Sequence, residues 1–277
     1  MRLRQVLGST GAVLLLAALV GPPTAAAAAA RPTCNDRTAT IVGTRFRDVI
    51  VGLHGRDTIK GRGGNDLICG SDSGDDIFGG RGDDRILGGG AVDDLRGGAG
   101  NDRLRGGAYD DYLYGGLGHD RLFGEGDKLR HDGVYGDRLV GGPGNDFFNG
   151  GDFGGIDVID YSGSTEAIGA DLRDDIVTTL HNDDKIMLDS IERVIGSRFN
   201  DNLEGSARPD ELYGGAGNDT IDGRAGNDLL DGGTGDDAIQ GGTGDDYLNG
   251  DDGTDTGDGG DGTDTCVLVE TATNCEN

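Results

Sequence analysis

From Gly43 onward an apolar residue recurs at every ninth position. In a first stretch these are Ile50, Ile59, Ile68, Ile77, Ile86, Leu95, Leu104, Leu113 and Leu122. In a second they are Leu203, Leu212, Ile221, Leu230, Ile239 and Leu248, after which Gly257 and Cys266 take the same place. The residues on either side are often Arg, Asp, Thr or Tyr. One apolar residue between two polar ones predicts a three-residue strand with its middle side chain in a core. The six residues before each strand read as a turn. In Gly97-Gly98-Ala99-Gly100-Asn101-Asp102, glycine at the first, second and fourth places disfavours both strand and helix. The sixth place is Asp in every unit of both stretches, from Asp48 to Asp120 and from Asp201 to Asp264. Composition bias would scatter the Asp; a fixed phase means repeated structure.

Two nine-residue units make one coil, so the pattern predicts an all-β fold. It is a right-handed parallel β-roll, a β-helix solenoid of nine-residue Gly/Asp repeats. The first block spans 43–160. Its later units keep the Asp-x-apolar core with variable spacing, at Asp127-Lys128-Leu129, Asp137-Arg138-Leu139, Asp146-Phe147-Phe148 and Asp157-Val158-Ile159. The second block spans 196–267. Between them, 161–195 loses the period but keeps β-like runs at Ala167–Leu172, Lys185–Leu188 and Ile191–Ile195. It reads as longer coils of the same solenoid, or as a small insert. Residues 31–42 and 268–277 read as terminal caps.

Composition enters next. Gly accounts for 57 of 277 residues, and 51 acidic against 24 basic residues give a net charge of −27. That sign excludes a basic nucleic-acid-coating surface. Five prolines are too few for collagen. The remaining choice is between an acidic disordered chain and a fold in which Gly and Asp are structural. Residues 1–30 stand apart. Arg2 and Arg4 precede the apolar run Ala12–Val20, then Gly21-Pro22-Pro23 and the small residues Ala25–Ala30, the layout of a secretory signal peptide. The run is about half of the ~20 residues needed to cross a bilayer, and no other segment is apolar enough to do so. The expected location is therefore secreted and extracellular. In an oxidising compartment the four cysteines predict two disulfides, Cys34–Cys69 and Cys266–Cys275, each clamping one end of the chain.

Stacked turns would place Asp carboxylates in columns, where like charges repel. A cation between the turns resolves the conflict. Carboxylate and carbonyl oxygens are hard ligands, and a flexible oxygen cage suits several Ca2+ ions better than Mg2+. Softer metals would require His or Cys, and His54, His119, His131 and His181 show no ligand spacing.

These units resemble the RTX (repeats-in-toxin) nonapeptide family, haemolysin-type calcium-binding repeats of pattern G-G-x-G-x-D-x-U-x, with U a large apolar residue. The full turn stands at the units beginning at Gly79, Gly97, Gly115, Gly141, Gly214, Gly232, Gly241 and Gly259. The resemblance implies calcium held between neighbouring turns by the sixth-place Asp and by turn carbonyls. The implied ligands are Asp66, Asp84, Asp102, Asp120, Asp146, Asp219, Asp228, Asp237, Asp246 and Asp264. The glycines that shape their turns are Gly80, Gly82, Gly98, Gly100, Gly116, Gly118, Gly215, Gly217, Gly233, Gly235, Gly242 and Gly244. In the first block the units at Gly52, Gly70, Gly88 and Gly106 lack glycine at the second or fourth place. All four fall on the edge opposite Gly79, Gly97 and Gly115. Tight calcium is expected on the intact edge and weak or no calcium on the other. With Asp251 and Asp252 in its turn and Gly257 in place of a core residue, the unit at Gly250 is expected to fray.

No His-Glu-x-x-His, Gly-x-Ser-x-Gly or P-loop motif occurs, so the chain is not expected to be an enzyme. The expectation is a secreted calcium-binding roll whose folding is coupled to the ion. It would be a monomer or associate end to end, with a cell-surface or matrix partner possible. The alternatives are a surface or matrix adhesion protein, or a polysaccharide- or peptide-processing enzyme using the carboxylates Asp160, Glu166, Asp171, Asp174, Asp175, Asp183 and Asp184.

Overall fold

The computed structural model describes residues 39–126, 136–151, 155–173, 176–179, 183–187 and 190–276. The expected signal peptide, Cys34, Asp127-Lys128-Leu129, His131, His181, Asp174 and Asp175 lie outside these residues, and nothing of the Asp183 side chain is described. Among the described residues there are 26 strands and no helix. They form two sheets, one of twelve strands and one of fourteen, built from alternate strands along the chain. This is a parallel β-solenoid of about twelve turns.

Each coil of the regular blocks advances 18 residues, and like pairs with like. Ile59 faces Ile77, Ile77 faces Leu95 and Leu95 faces Leu113 in the first sheet. Ile68, Ile86, Leu104 and Leu122 do the same in the second. These eighth-place side chains are almost wholly buried and form one continuous core between the sheets. The residues on either side of them point outward, as a two-residue alternation requires.

Two features depart from the expectation. Many strands of the regular blocks are six residues long rather than three, as in Asp76–Arg81 and Arg103–Ala108, whereas Phe147–Asn149 and Thr220–Asp222 keep three. The longer ones run through the first two residues of the next turn, because the second residue pairs with its equivalent one coil on, as Gly80 does with Gly98 and Gly233 with Asp251. The pairing needs no side chain. The unit at Gly250 also stays in register. Thr256–Asp261 pairs with Ala238–Thr243, and Val269 lies where a side chain on Gly257 would go, 3.0 Å from its ideal Cβ.

Residues 161–195 contribute strands to both sheets. Arg193–Ile195 continues the first sheet beside Val158–Asp160. In the second sheet Ile168–Asp171, Ile176–Thr179 and Asp183–Ile186 form an antiparallel meander. Its outer strands join Asn202–Glu204 on one side and Phe147–Asn149 on the other, both in parallel. The meander gives the second sheet its two extra strands.

At the C-terminus Cys266 and Cys275 are disulfide-bonded, with Cα atoms 5.8 Å apart. Cys69 is a half-buried free thiol whose expected partner lies outside the described residues.

Candidate metal sites in the turns

The sixth-place Asp residues are buried along both edges of the roll, with Asp84, Asp102 and Asp120 each only 1% exposed. Their Oδ1 atoms form a ladder. The backbone N–H of Asp66 donates to Asp84 Oδ1, that of Asp84 to Asp102 Oδ1 and that of Asp102 to Asp120 Oδ1, each at 2.7 Å. Asp120 donates to Asp146, and Asp219 to Asp237, in the same way. The opposite edge carries a second column, through Asp57, Asp75, Asp93 and Asp111 and later through Asp210, Asp228, Asp246 and Asp264. All ten predicted ligand carboxylates are thus brought into two columns. Direct ladder bonds join Asp66 through Asp146 and Asp219 to Asp237 on one edge, and Asp228 through Asp264 on the other.

The other carboxylate oxygen explains what the ladder leaves open. Oδ2 of Asp66, Asp84, Asp93, Asp102, Asp120, Asp146, Asp219, Asp228, Asp237, Asp246, Asp255 and Asp264 is buried without a hydrogen-bond partner. A buried polar atom without a partner is costly, and a buried charge more so. Each Oδ2 lies against the first glycine of its own turn. A Cβ placed on Gly97 would sit 2.4 Å from Asp102 Oδ2 and 2.6 Å from the Gly115 carbonyl oxygen of the next coil. Two acceptors therefore flank one spot with no donor between them.

The electrostatics follow. Burial, opposed by the ladder hydrogen bond, pushes the carboxyls up from their usual range. Asp66, Asp84, Asp120 and Asp219 reach about 6, Asp93, Asp102 and Asp228 about 7, and Asp146 about 8. Asp237 and Asp246 rise for the same reason. Neighbouring carboxylates add to the rise: Asp84 and Asp120 both act on Asp102.

The turn backbone is shaped for close stacking. Gly98 has φ +119°, and a Cβ there would meet the Gly80 carbonyl oxygen at 2.2 Å; Gly100 has φ +136° and would meet Gly82 O at 2.4 Å. All twelve predicted turn glycines have φ between 96° and 136°. The imperfect units keep the same bend with ordinary residues at positive φ. Examples are Arg62 and Arg224 at the second place, and Ala91 and Tyr109 at the fourth place on the edge opposite Gly97. Each such residue costs roughly 1–3 kcal/mol, while Asp93 keeps the same burial and ladder bond as Asp102.

Sequence reasoning missed three sets of residues. The fifth-place side chains form an outer ladder running the other way. Asn101 N–H donates to Asp83 Oδ1, His119 N–H to Asn101 Oδ1 and Asn145 N–H to His119 Nδ1. The recurrence of Asn or Asp just before the ligand Asp was the signal for it. Glutamates end the inner columns: Asp255 N–H donates to Glu270 Oε2, Asp264 N–H to Glu276 Oε2 and Asp157 N–H to Glu192 Oε2. They lie off the nine-residue spacing. Finally, Asp184 takes a ladder position inside the insert. It accepts from Asp146 N–H through Oδ1 at 2.7 Å and from the buried Tyr161 hydroxyl through Oδ2 at 2.6 Å.

Of the carboxylates weighed for catalysis, Asp160, Glu166 and Asp184 line one cavity of about 280 Å³ with Tyr161. Asp160 is paired with Arg138, and Asp171 lies apart with Arg173 and Arg224.

Among the described residues no three acidic, His or Cys side chains converge on one point. A bound ion would therefore draw on one or two carboxylates and on backbone carbonyls. The residues present fit a hard cation: buried oxygens that lack a donor, carried on stacked carbonyl-rich turns. Fold and turns together define a parallel β-solenoid of the calcium-binding kind. The chain matches the RTX calcium-binding nonapeptide repeat over residues 35–68, 70–104, 96–128, 131–152, 195–230 and 231–266. It belongs to that family. No curated protein matches it.

Proposed function

We propose that this is a secreted protein whose roll folds when extracellular calcium binds, and that it carries no catalytic domain of its own. The observation that carries the reading is the set of buried Oδ2 atoms without partners along both edges. Unbound, the folded chain must hold them ionised beside other carboxylates or keep them protonated. A divalent cation would supply the missing positive charge, and affinity for the folded state alone becomes folding free energy. The residues that would hold it are Asp66, Asp84, Asp102, Asp120, Asp146, Asp219 and Asp237 on one edge, and Asp228, Asp246 and Asp264 on the other. Turn carbonyls beside them would complete each site.

Support for export comes from residues 1–30, which have the make-up of a signal peptide, and from the Cys266–Cys275 bridge, which suits an oxidising compartment. Two of the carboxylates weighed for catalysis are engaged in structure, Asp160 with Arg138 and Asp184 in the ladder. That engagement favours binding over acid–base chemistry.

The test is far-UV circular dichroism at neutral pH with chelator and then with millimolar calcium. Coil should convert to β-structure on adding calcium and revert on chelation. A chelated chain with the full β-spectrum and unchanged thermal stability would defeat the proposal.

A further inference from the structure

The outer face of the fourteen-stranded sheet is divided in two. In its N-terminal half Arg85, Arg103 and Arg121 stand on three neighbouring strands in direct register. Strand spacing puts them about 4.8 Å apart. Like charges directly opposite one another destabilise a sheet. No carboxylate among the described residues pairs with any of the three, although the chain carries 51 acidic residues. Arg103 Nε is buried without a partner. Phe123 and Phe147 stand beside the column on the same face, with the Arg103 and Arg121 guanidinium carbons 4.8 and 5.2 Å from the respective ring centroids. The result is a cationic ridge of long side chains stacked against aromatic rings.

The C-terminal half of the same face has the opposite shape and sign. Its strands carry short side chains, Thr220, Ala238 and Thr256, in one in-register column. Glu204, already paired with Arg224, stands in the column beside it with Asp222 and Asp258, and Gln240 lies between the last two. Together these residues line a shallow groove of about 390 Å³. Ridge and groove arise from the same 18-residue coil, so their charges repeat at one spacing.

We infer that the fourteen-stranded faces of two copies of this chain pack together with their solenoid axes antiparallel, the arginine ridge of each seated in the acidic groove of the other. A twofold axis parallel to the strands reverses strand order and brings each N-terminal half over the partner's C-terminal half, an isologous contact. Fourteen strands at about 4.8 Å and a three-residue width of about 10 Å give a face of roughly 600 Å² per copy. That lies at the low end of specific interfaces, so the dimer is weak and salt-sensitive. End-to-end stacking is disfavoured at the C-terminus, where Glu270 and Glu276 already occupy the next position of each inner column.

The test is sedimentation velocity of the full chain in millimolar calcium, over a range of protein concentrations, with circular dichroism confirming that every sample is folded. Wild type should dimerise at micromolar concentration and weaken about tenfold or more between 0.05 and 0.5 M NaCl, as exposed charges are screened. Arg103→Glu with Arg121→Glu makes both halves acidic and should be monomeric. Asp222→Lys with Asp258→Lys makes both halves basic and should be monomeric too. Mixing the two should restore a heterodimer. Arg103→Gln with Arg121→Gln serves if the reversals disturb folding, and should weaken the dimer at least tenfold. Folded wild type that stays monomeric, a dimer indifferent to these substitutions, or association only on adding a soluble polyanion would each overturn the inference. Failure to fold in calcium would instead count against the proposed function.

Discussion

Replacing Asp102 by Asn should shift stability in opposite directions with and without calcium. The change keeps the Oδ1 acceptor that receives Asp84 N–H at 2.7 Å and swaps the unpartnered Oδ2 for an amide donor. That Oδ2 and the Gly115 carbonyl oxygen flank the place a Cβ on Gly97 would take, 2.4 and 2.6 Å from it, so an amide there adds a donor between acceptors. In the folded chain without calcium the Asp102 carboxyl is pushed up to about 7 by burial, assisted by Asp84 and Asp120. A carboxyl whose folded pKa is raised contributes a penalty that starts above the unfolded value near 4 and is complete above 7. Three pH units at about 1.4 kcal/mol each put that penalty at up to about 4 kcal/mol. Asn removes it, but it also removes the charge that calcium would meet. In EDTA, the pH below which β-structure appears should therefore be higher for Asp102→Asn than for wild type. At pH 7.5 the calcium concentration for half-folding should also be higher. Far-UV circular dichroism reads both midpoints, and exposed Asp72→Asn should move neither. If Asp102→Asn lowered the pH midpoint in EDTA, or left the calcium midpoint unchanged, the account of the orphaned oxygen would be wrong.

Three further outcomes follow from the same geometry. Asp102→Ala should raise the calcium midpoint more than Asp93→Ala, because the turns on the Asp93 edge spend binding energy holding Ala91 and Tyr109 at positive φ; equal losses in a calcium titration would refute the difference between edges. Gly98→Ala should destabilise the calcium-loaded roll by more than about 3 kcal/mol in urea melts, since its Cβ would lie 2.2 Å from the Gly80 carbonyl oxygen at a φ of +119°, and a loss below 1 kcal/mol would contradict the stacking. Reducing Cys266–Cys275, or Cys275→Ser, should lower stability by about 2–3 kcal/mol, the entropy of closing a short loop, with the loss seen first as faster hydrogen exchange at Thr265–Val267 and Thr271–Thr273.

The core was fully legible in the sequence at Ile59, Ile77, Leu104 and their equivalents, because a one-per-nine apolar residue leaves only one face to bury. The extent of the strands was not. Gly79 and Gly80 read as strand breakers, yet they lie inside Asp76–Arg81, where the Gly80 backbone pairs with Gly98 on one side and Arg62 on the other. The meander in the insert was half visible. Its outer strands overlap apolar runs, whereas Ile176–Thr179 pairs antiparallel and obeys no repeat. That the ten aspartates proposed as ligands line two columns was legible from their sixth place in each turn. Glu192, Glu270 and Glu276 were not, since each reaches its backbone N–H from a separation of its own, 35, 15 and 12 residues respectively.

Those terminal glutamates give the molecule a direction. Along each column an Asp N–H is satisfied by the carboxylate of the coil that follows, never by the coil before. A coil added at the N-terminal end of a formed stack finds its acceptor already in place. A coil added at the C-terminal end supplies an acceptor but leaves its own N–H bare until something further along closes it. The last coil is closed from outside the repeat, by Glu270 and Glu276 beside the Cys266–Cys275 bridge, as Glu192 closes the first block at Asp157. In its inner columns the stack is thus a one-way zipper that the short non-repetitive tail closes, while the outer ladder through Asn101, His119 and Asn145 runs in the opposite sense.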